Sequence, residues 1–333
     1  MFFRILILFI LASSIPSWVP IHASASQDEQ QLLKKRMELY KRVEDSTQLP
    51  WYYIAAFDQY ERSIRLARKD LKDPTTLGIL IPADKWTGLT NPNQKDTNPF
   101  TISFFGGIGL DGDQDGKADR LNDYDQLAAI NQYLLSYGRD KDNFRIGIWE
   151  YYKRDRAVSI IMSNAQLFKK HQTIDLQRKA FPVPLGSHYT YTSTWGVARG
   201  WGGRRSHEGT DIFAGYGVPV RSTCYGIIEL KGWNKFGGWR IGIRDINNTY
   251  HYFAHLNGFA KGLKVGQLVE PGTLLGGVGS SGYGPPGTSG KFPPHLHYGM
   301  YKENGRTEWS FDPYPYLKMW ERAEKAAKYS KGR

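Results

Sequence analysis

The sequence predicts a multidomain α + β chain, a mostly helical N-terminal part followed by an antiparallel β-rich part. Three observations carry this. The chain has 333 residues, and at roughly 100–200 residues per domain that means about two domains. Up to about residue 175, apolar residues recur at helical spacing. From 181 to 316, Gly and Pro punctuate short strand-length runs such as GIIEL, WRIGIRD and TYHYFAHL.

Composition excludes several classes. Hydrophobic residues make up 40% and aromatic residues 14%, too many for a disordered chain. Only one apolar run approaches the length of a membrane span, and it lies at the N-terminus, which argues against a polytopic membrane protein. Lys and Arg number 44 against 32 acids, for a net charge of +12. Such a chain is drawn to polyanions, which include nucleic acid, anionic wall polymers and membrane surfaces. The single cysteine, Cys224, excludes an intrachain disulfide, a zinc finger and a CxxC redox site.

Residues 1–25 read as a secretory signal peptide. Arg4 supplies the positive start, Ile5–Ala12 the apolar run and Ala23-Ser24-Ala25 the small-x-small cleavage site. An uncleaved anchor is the alternative, but the run falls short of the ~20 residues a span needs. Export places the protein outside the cytoplasm, at the cell wall. It removes nucleic acid from the expected partners and leaves anionic wall polymers. No membrane span is expected in the mature chain.

Leu33, Met37 and Tyr40, with Leu32, Leu39 and Val43, predict a helix over 28–45. A second is expected over 50–70 with Pro50 at its start. A third spans 123–137, capped by Asn122 or Asp123, and a fourth 155–171. The join falls near Lys179–Pro184, where FPVPL carries two prolines. The expected division is a helical domain over 26–178, a β-rich domain over 179–317 and a basic helix over 318–333 with its charge run on a solvated face.

Five of the eight histidines fall between 207 and 297. Three pieces matter: His207-Glu208-Gly209-Thr210-Asp211, Phe253-Ala254-His255-Leu256, and His295-Leu296-His297. Zinc takes His nitrogen and Asp oxygen, and a catalytic site leaves one position open. His207 and Asp211 offer two ligands from a segment whose Gly209 and Thr210 disfavour a helix. His295 and His297 share one face of a strand, so one can bind while the other faces the same cavity unbound. His255 adds a third imidazole. The competing reading of each piece alone is a pair of surface histidines. His251 would share a face with His255 in a regular strand and reads as a cross-strand packing residue. His171 and His188 read as structural or exposed, and Cys224 as a small buried hydrophobe.

These three pieces resemble the lysostaphin/LytM-type zinc endopeptidases that cut peptidoglycan peptides. The resemblance covers about 181–316 and includes SHEGTDIFAGYGVPV, LKVGQLVEPGTLLGGVGSSG and DPYPYL. It implies an antiparallel β domain with a groove, Zn²⁺ on His207, Asp211 and His297, and His255 and His295 as the unligated pair beside the attacking water. Zinc lowers the pKa of its water toward ~7. His295 is the expected general base, and His255 the group that hydrogen-bonds the developing oxyanion. Glu208 is set aside, because the helical histidine pair of HExxH is missing. Gly277–Gly290 reads as a groove-lining loop, and Pro293-Pro294 as fixing the path into the HLH strand. The two-part layout further resembles the sporulation branch of this family, which implies an L-Ala–D-Glu bond in spore cortex.

The helical part holds two further resemblances. In DGDQDGKAD (111–119), Asp111, Asp113, Asp115 and Gly116 match the first half of an EF-hand loop, although Asn122 stands where the bidentate Glu belongs. A Ca²⁺ site assisted by Asp119 is one reading, an acidic turn the other. LPWYYIAAFDQYERS and the stretch from GLDGDQD to LLSYG resemble lysozyme-like lytic transglycosylases, with Glu61 at the position of the acid. The family's Gln-Phe-x-Pro-Ser-x-Trp segment is replaced by Thr101–Phe105, which implies a degenerate, glycan-binding module. Two competing functions follow: a non-catalytic peptidoglycan-binding or activator protein, and a transglycosylase that uses Glu61 as general acid.

Overall fold

The computed structural model describes residues 27–71, 76–200 and 204–330. The expected signal peptide, 1–25, lies outside the described residues. The helical part comprises α1 (Gln27–Thr47), α2 (Trp51–Arg68), α3 (Ala83–Thr87), α4 (Pro99–Phe104), α5 (Asp123–Leu135), α6 (Lys141–Tyr152) and α7 (Asp155–His171). α2 starts directly after Pro50. It ends at Lys69, whose left-handed backbone lets its N–H reach the carbonyls of Arg65 and Leu66. Asn122 caps α5 and Asp140 caps α6 through their side-chain oxygens.

α2 runs through the middle of this part. Ile54, Phe57, Tyr60 and Ile64 are buried on it, and Trp51 stacks on Phe168 of α7 at 6.4 Å. Asp58, fully buried, accepts from Tyr40 Oη (2.6 Å), Arg36 Nη2 (3.1 Å) and the backbone N–H groups of Gly78 (2.6 Å) and Ile79 (3.0 Å). One carboxylate thus ties α1, α2 and the 76–81 segment together. A buried charge is tolerable only when satisfied in this way.

The sequence reading placed the helices now seen as α1, α2, α5 and α7. It missed α6, whose Gly147 breaks the pattern of a good helix former. Gly147 has a packing reason: a Cβ there would meet Leu134 and Tyr137 at 3.2 Å. The short side lets α6 lie close against α5.

The β part comprises β1 (Tyr189–Tyr191), β2 (Ala198–Arg199), β3 (Arg205–Ser206), β4 (Thr210–Ala214), β5 (Pro219–Arg221), β6 (Gly226–Asn234), β7 (Gly238–Asp245), β8 (Thr249–Phe259), β9 (Leu268–Val269), β10 (Leu274–Val278), β11 (His295–Glu303) and β12 (Glu308–Phe311), followed by α8 (Tyr314–Ser330). The main sheet runs β1-β4-β11-β8-β7-β6-β9, with β10 joining β5 and β8, and β12 on β11. Its pairings are antiparallel. The buried face carries Ile212, Ile228, Ile241, Ile243, Phe253, Leu296 and Tyr298.

α8 differs from expectation. It begins at Tyr314, and it is not simply a solvated tail. Leu317 and Trp320 complete the core under the sheet. Glu321 is buried and accepts from the hydroxyls of Tyr189 (2.7 Å) and Tyr191 (2.5 Å). Three residues spaced along one face were hidden within a basic run.

The two parts meet through charge. Arg154 at the start of α7 binds Glu303 of β11 with both nitrogens at 2.9 Å, and Arg156 adds a third bond at 2.8 Å. Burial alone would raise the Glu303 pKa; Arg154, Asn248 and Arg156 hold it down to about 2. Gln59 of α2 donates to Asn247 at 3.0 Å. Among the described residues, no helix is long and apolar enough to cross a membrane.

Candidate metal centre

Two neighbouring strands build the centre. In the β4–β11 register, Asp211 stands directly opposite His297, and Phe213 opposite His295. His207 approaches from the segment before β4. Gly209 makes that approach possible: a Cβ there would sit 2.6 Å from His297 Cε1 and 2.7 Å from the Tyr298 carbonyl oxygen. No other residue lets the HxxxD segment cross this close over the strand.

The polar atoms converge. His207 Nε2 lies 2.9 Å from His297 Nδ1. Asp211 Oδ1 lies 3.1 Å from each of them. His207, Asp211 and His297 form a group that could hold a metal ion, their three ligand atoms within 4.8 Å of one another. His207 Nδ1 is 2.7 Å from the Thr194 carbonyl. A carbonyl only accepts, so the ring proton is on Nδ1 and the Nε2 lone pair faces the other two groups. The second oxygen of Asp211 takes a hydrogen bond from Arg199. Burial would raise the Asp211 pKa, but the His207 and His297 rings against its oxygen hold the group far below the usual carboxylate range. Burial also lowers the pKa of His297 and of His295. An anionic oxygen and neutral imidazoles are what a divalent ion requires. The donor set therefore fits zinc.

His255 reaches the centre through a bulge. β7 pairs Ile241 with Phe253 and Trp239 with Leu256, which leaves one extra residue on β8. His255 takes a left-handed backbone, φ 62°, at a cost of about 1–2 kcal/mol for a residue other than glycine. Its N–H bonds the Gly237 carbonyl at 2.8 Å. The bulge switches the side-chain alternation. His255 turns toward His295 and His297, with ring centroids at 4.9 and 5.9 Å. His251 stays on the core side, bonded to Tyr298 Oη at 2.6 Å and Asp245 Oδ2 at 3.2 Å. The two histidines expected to share a face in a regular strand do not.

His255 and His295 are prepared alike. His255 Nδ1 faces the Ser281 carbonyl at 2.8 Å and His295 Nδ1 the Pro293 carbonyl at 2.9 Å. Both rings therefore carry their proton on Nδ1 and keep a lone pair on Nε2. His295 Nε2 lies 3.8 Å from Asp211 Oδ1. Burial, with His295 and His297 alongside, lowers the His255 pKa to about 3. A cleft of about 360 Å³ opens over the site, lined by Arg199, Arg205, His207, Asp211, His255, Tyr283 and His297 among others. His295 is only 7% exposed and packs against Phe292 and Phe213 at 5.0 and 5.1 Å.

Glu208 lines the same cleft but is not among the grouped ligand atoms; it accepts from the Tyr301 hydroxyl at 3.3 Å. Cys224 is fully buried. Asp111, Asp113 and Asp115 do cluster, yet they serve their own loop. Asp111 accepts from the N–H groups of Asp115 and Gly116, and Asp113 from Asn122 Nδ2. The calcium expectation gains no support from this; the hydrogen bonds are those of an acidic turn. Glu61 is 8% exposed and accepts from Tyr152 Oη. Sequence reasoning did not single out Thr194, Arg199, Arg205, Ser281 or Tyr283. Two of these act through backbone carbonyls, which leave no mark on residue type. Tyr283 lies inside the loop expected to line the groove.

The fold and this centre define a peptidase. Residues 205–312 match Peptidase family M23. The chain is 65% identical over 303 residues to the L-Ala–D-Glu endopeptidase of Bacillus subtilis (strain 168), across 91% of this chain and 93% of that protein. It is 33% identical over 115 residues to the glycyl-glycine endopeptidase ALE-1 of Staphylococcus capitis, across 34% of this chain and 29% of that one. Among solved structures, lysostaphin of Staphylococcus simulans aligns with a TM-score of 0.33 and 29% identity, over 40% of this chain and 52% of that one. The chain belongs to peptidase family M23.

Proposed function

We propose that the chain is a zinc endopeptidase that hydrolyses the L-alanyl–D-glutamyl bond of peptidoglycan stem peptides. The observation that carries the reading is the convergence of His207 Nε2, His297 Nδ1 and Asp211 Oδ1, with two further imidazole lone pairs beside them. The bond is taken from the Bacillus subtilis relative, which shares nearly the full length of the chain.

In this reading His207, Asp211 and His297 hold the ion. Zinc supplies a Lewis acid for the scissile carbonyl and a water acidified toward pKa ~7. The chain's own groups do the rest. The Thr194 carbonyl and Arg199 fix the orientation of His207 and Asp211, the usual work of groups behind a ligand. His295, through Nε2, is the general base for the attacking water. His255 faces the cleft with its Nε2 lone pair beside His295, and shares in taking the proton of the attacking water and passing it to the leaving amine. Phe292 packs against both rings and Phe213 against His295, and burial favours the neutral form of both imidazoles.

The reading extends to location and layout. The N-terminal sequence supports export to the cell wall, with the forming spore as the narrower site. The basic charge suits anionic wall polymers. The helical part serves as a degenerate lysozyme-like module that holds glycan while the β part cuts peptide. The test is mass spectrometry of purified peptidoglycan peptides after digestion, with and without a chelator. New amino-terminal D-glutamate, lost with chelator and restored by zinc, is expected. Another new terminus overturns the bond; chelator-resistant cleavage overturns the metal; anhydro-sugar ends would move the activity to Glu61.

A further inference from the structure

The cleft contains an arginine that no part of the metal centre needs. Arg205 lies on β3, two residues before His207. Its guanidinium sits 5.7 Å from the Phe236 ring and 5.5 Å from the Tyr283 ring, and it donates to the Tyr283 hydroxyl. Phe236 and Tyr283 meet edge to face at 5.9 Å. Tyr283 in turn stacks on His255, centroids 6.2 Å apart at 21°. The positive charge is thus held in place two ring contacts from the reacting centre. Arg199, the other arginine of the cleft, is engaged by Asp211.

The proposed substrate supplies the matching charge. A glutamyl residue has two carboxyl groups, and the peptide continues through only one. The other remains as an anion beside the amide that is cut. A glycyl-glycine bond, named for the Staphylococcus capitis relative, offers no such group. Guanidinium meets carboxylate through two parallel hydrogen bonds, and a guanidinium already packed on aromatic faces loses little freedom in doing so. We propose that Arg205 binds the free carboxylate of the glutamyl residue that follows the scissile bond, and thereby selects that residue over a neutral one. The inference rests on the Ala–Glu reading above.

The experiment compares an L-Ala–D-Glu peptide with the same peptide amidated at the free carboxylate. Wild type should favour the acid by about 10–100-fold in kcat/KM, the range for a hydrogen bond to a charged group, mostly through KM. Arg205→Met should lose that preference by falling on the acid peptide alone. Its zinc content should stay at the wild-type level. Arg205→Lys should keep part of the preference. Tyr283→Phe, which removes a hydroxyl that orients the guanidinium, should reduce it and gives a second handle should Arg205→Met fold poorly. Equal loss on both peptides, or a preference unchanged in every variant, overturns the role of Arg205. If wild type cuts both peptides equally, the inference fails while the Ala–Glu reading stands. If wild type cuts neither but opens another bond of the stem peptide, the reading itself has failed and takes the inference with it.

Discussion

Asp211 and Glu61 are both buried carboxylates, one in each part of the molecule, and their surroundings drive them in opposite directions. Burial opposes the charge of both. At Asp211, the His207 and His297 rings against its oxygen overwhelm that effect and fix the group as an anion. At Glu61, one hydrogen bond from Tyr152 and distant arginines do not, and burial pushes the pKa up to about 7. The first environment makes a metal ligand. The second makes a carboxyl group that holds its proton far above the usual carboxylate range. Depth alone therefore sets no role; the partners decide which protonation state survives.

The largest effect should come from breaking the anionic side of this contrast. Asp211→Asn keeps the shape but removes the charge and one strong metal-binding oxygen. Zinc affinity should fall by more than the roughly 10–100-fold that loss of an outer partner costs, and peptide cleavage should fall with it. Metal analysis of the dialysed protein checks this; full zinc occupancy in the variant would remove Asp211 from the ligand set. His297→Ala should behave alike.

Next in size is the group beside the ligands. His295→Ala should keep zinc and lose about 10²–10⁴-fold in kcat, the usual worth of a general base. His255→Ala, measured in parallel, separates the two histidines. A variant with normal turnover drops out of the mechanism, whereas one that loses zinc belongs with the ligands.

How much of this was legible in the sequence follows from the range of each interaction. The HLH pair was readable because strand alternation is local, and β11 is regular across it. The partnership of Asp211 with His297 spans 86 residues and depends on register, which residue types suggest but do not fix. His255 was placed at the site by its motif and the resemblance, whereas strand alternation alone would have misplaced it. A regular β8 would aim it with His251; the left-handed backbone at a histidine, unannounced by any glycine, turns it around. In the helical part, local capping made α5 readable, while α6 hid behind Gly147. The charge run of α8 concealed Leu317, Trp320 and Glu321 because burial there is a property of tertiary packing.

The smallest catalytic effect should come from the neutral side of the contrast. Glu61→Gln keeps a group that can accept from Tyr152 and removes the titration. Peptide cleavage should change by less than about twofold, within the scatter of surface-distant substitutions. Stability should change, and the sign is set by the pKa. A folded-state value near 7 against 4.5 unfolded means that the folded protein binds the proton more tightly. Stability is then highest below about pH 4.5 for this group and declines as pH rises toward 7 and beyond, by up to about 3 kcal/mol. Thermal melts of wild type and Glu61→Gln across pH 4–8 should converge at the acidic end, with the variant more stable at the alkaline end. Tyr152→Phe should steepen the wild-type decline, because it removes the hydrogen bond that favours the anion. Parallel melting curves for wild type and Glu61→Gln would mean that Glu61 titrates alike in the folded and unfolded states, and the opposition between the two carboxylates would not hold. A collapse of peptide cleavage in Glu61→Gln, with the fold intact, would instead show that the helical part and the metal centre are coupled.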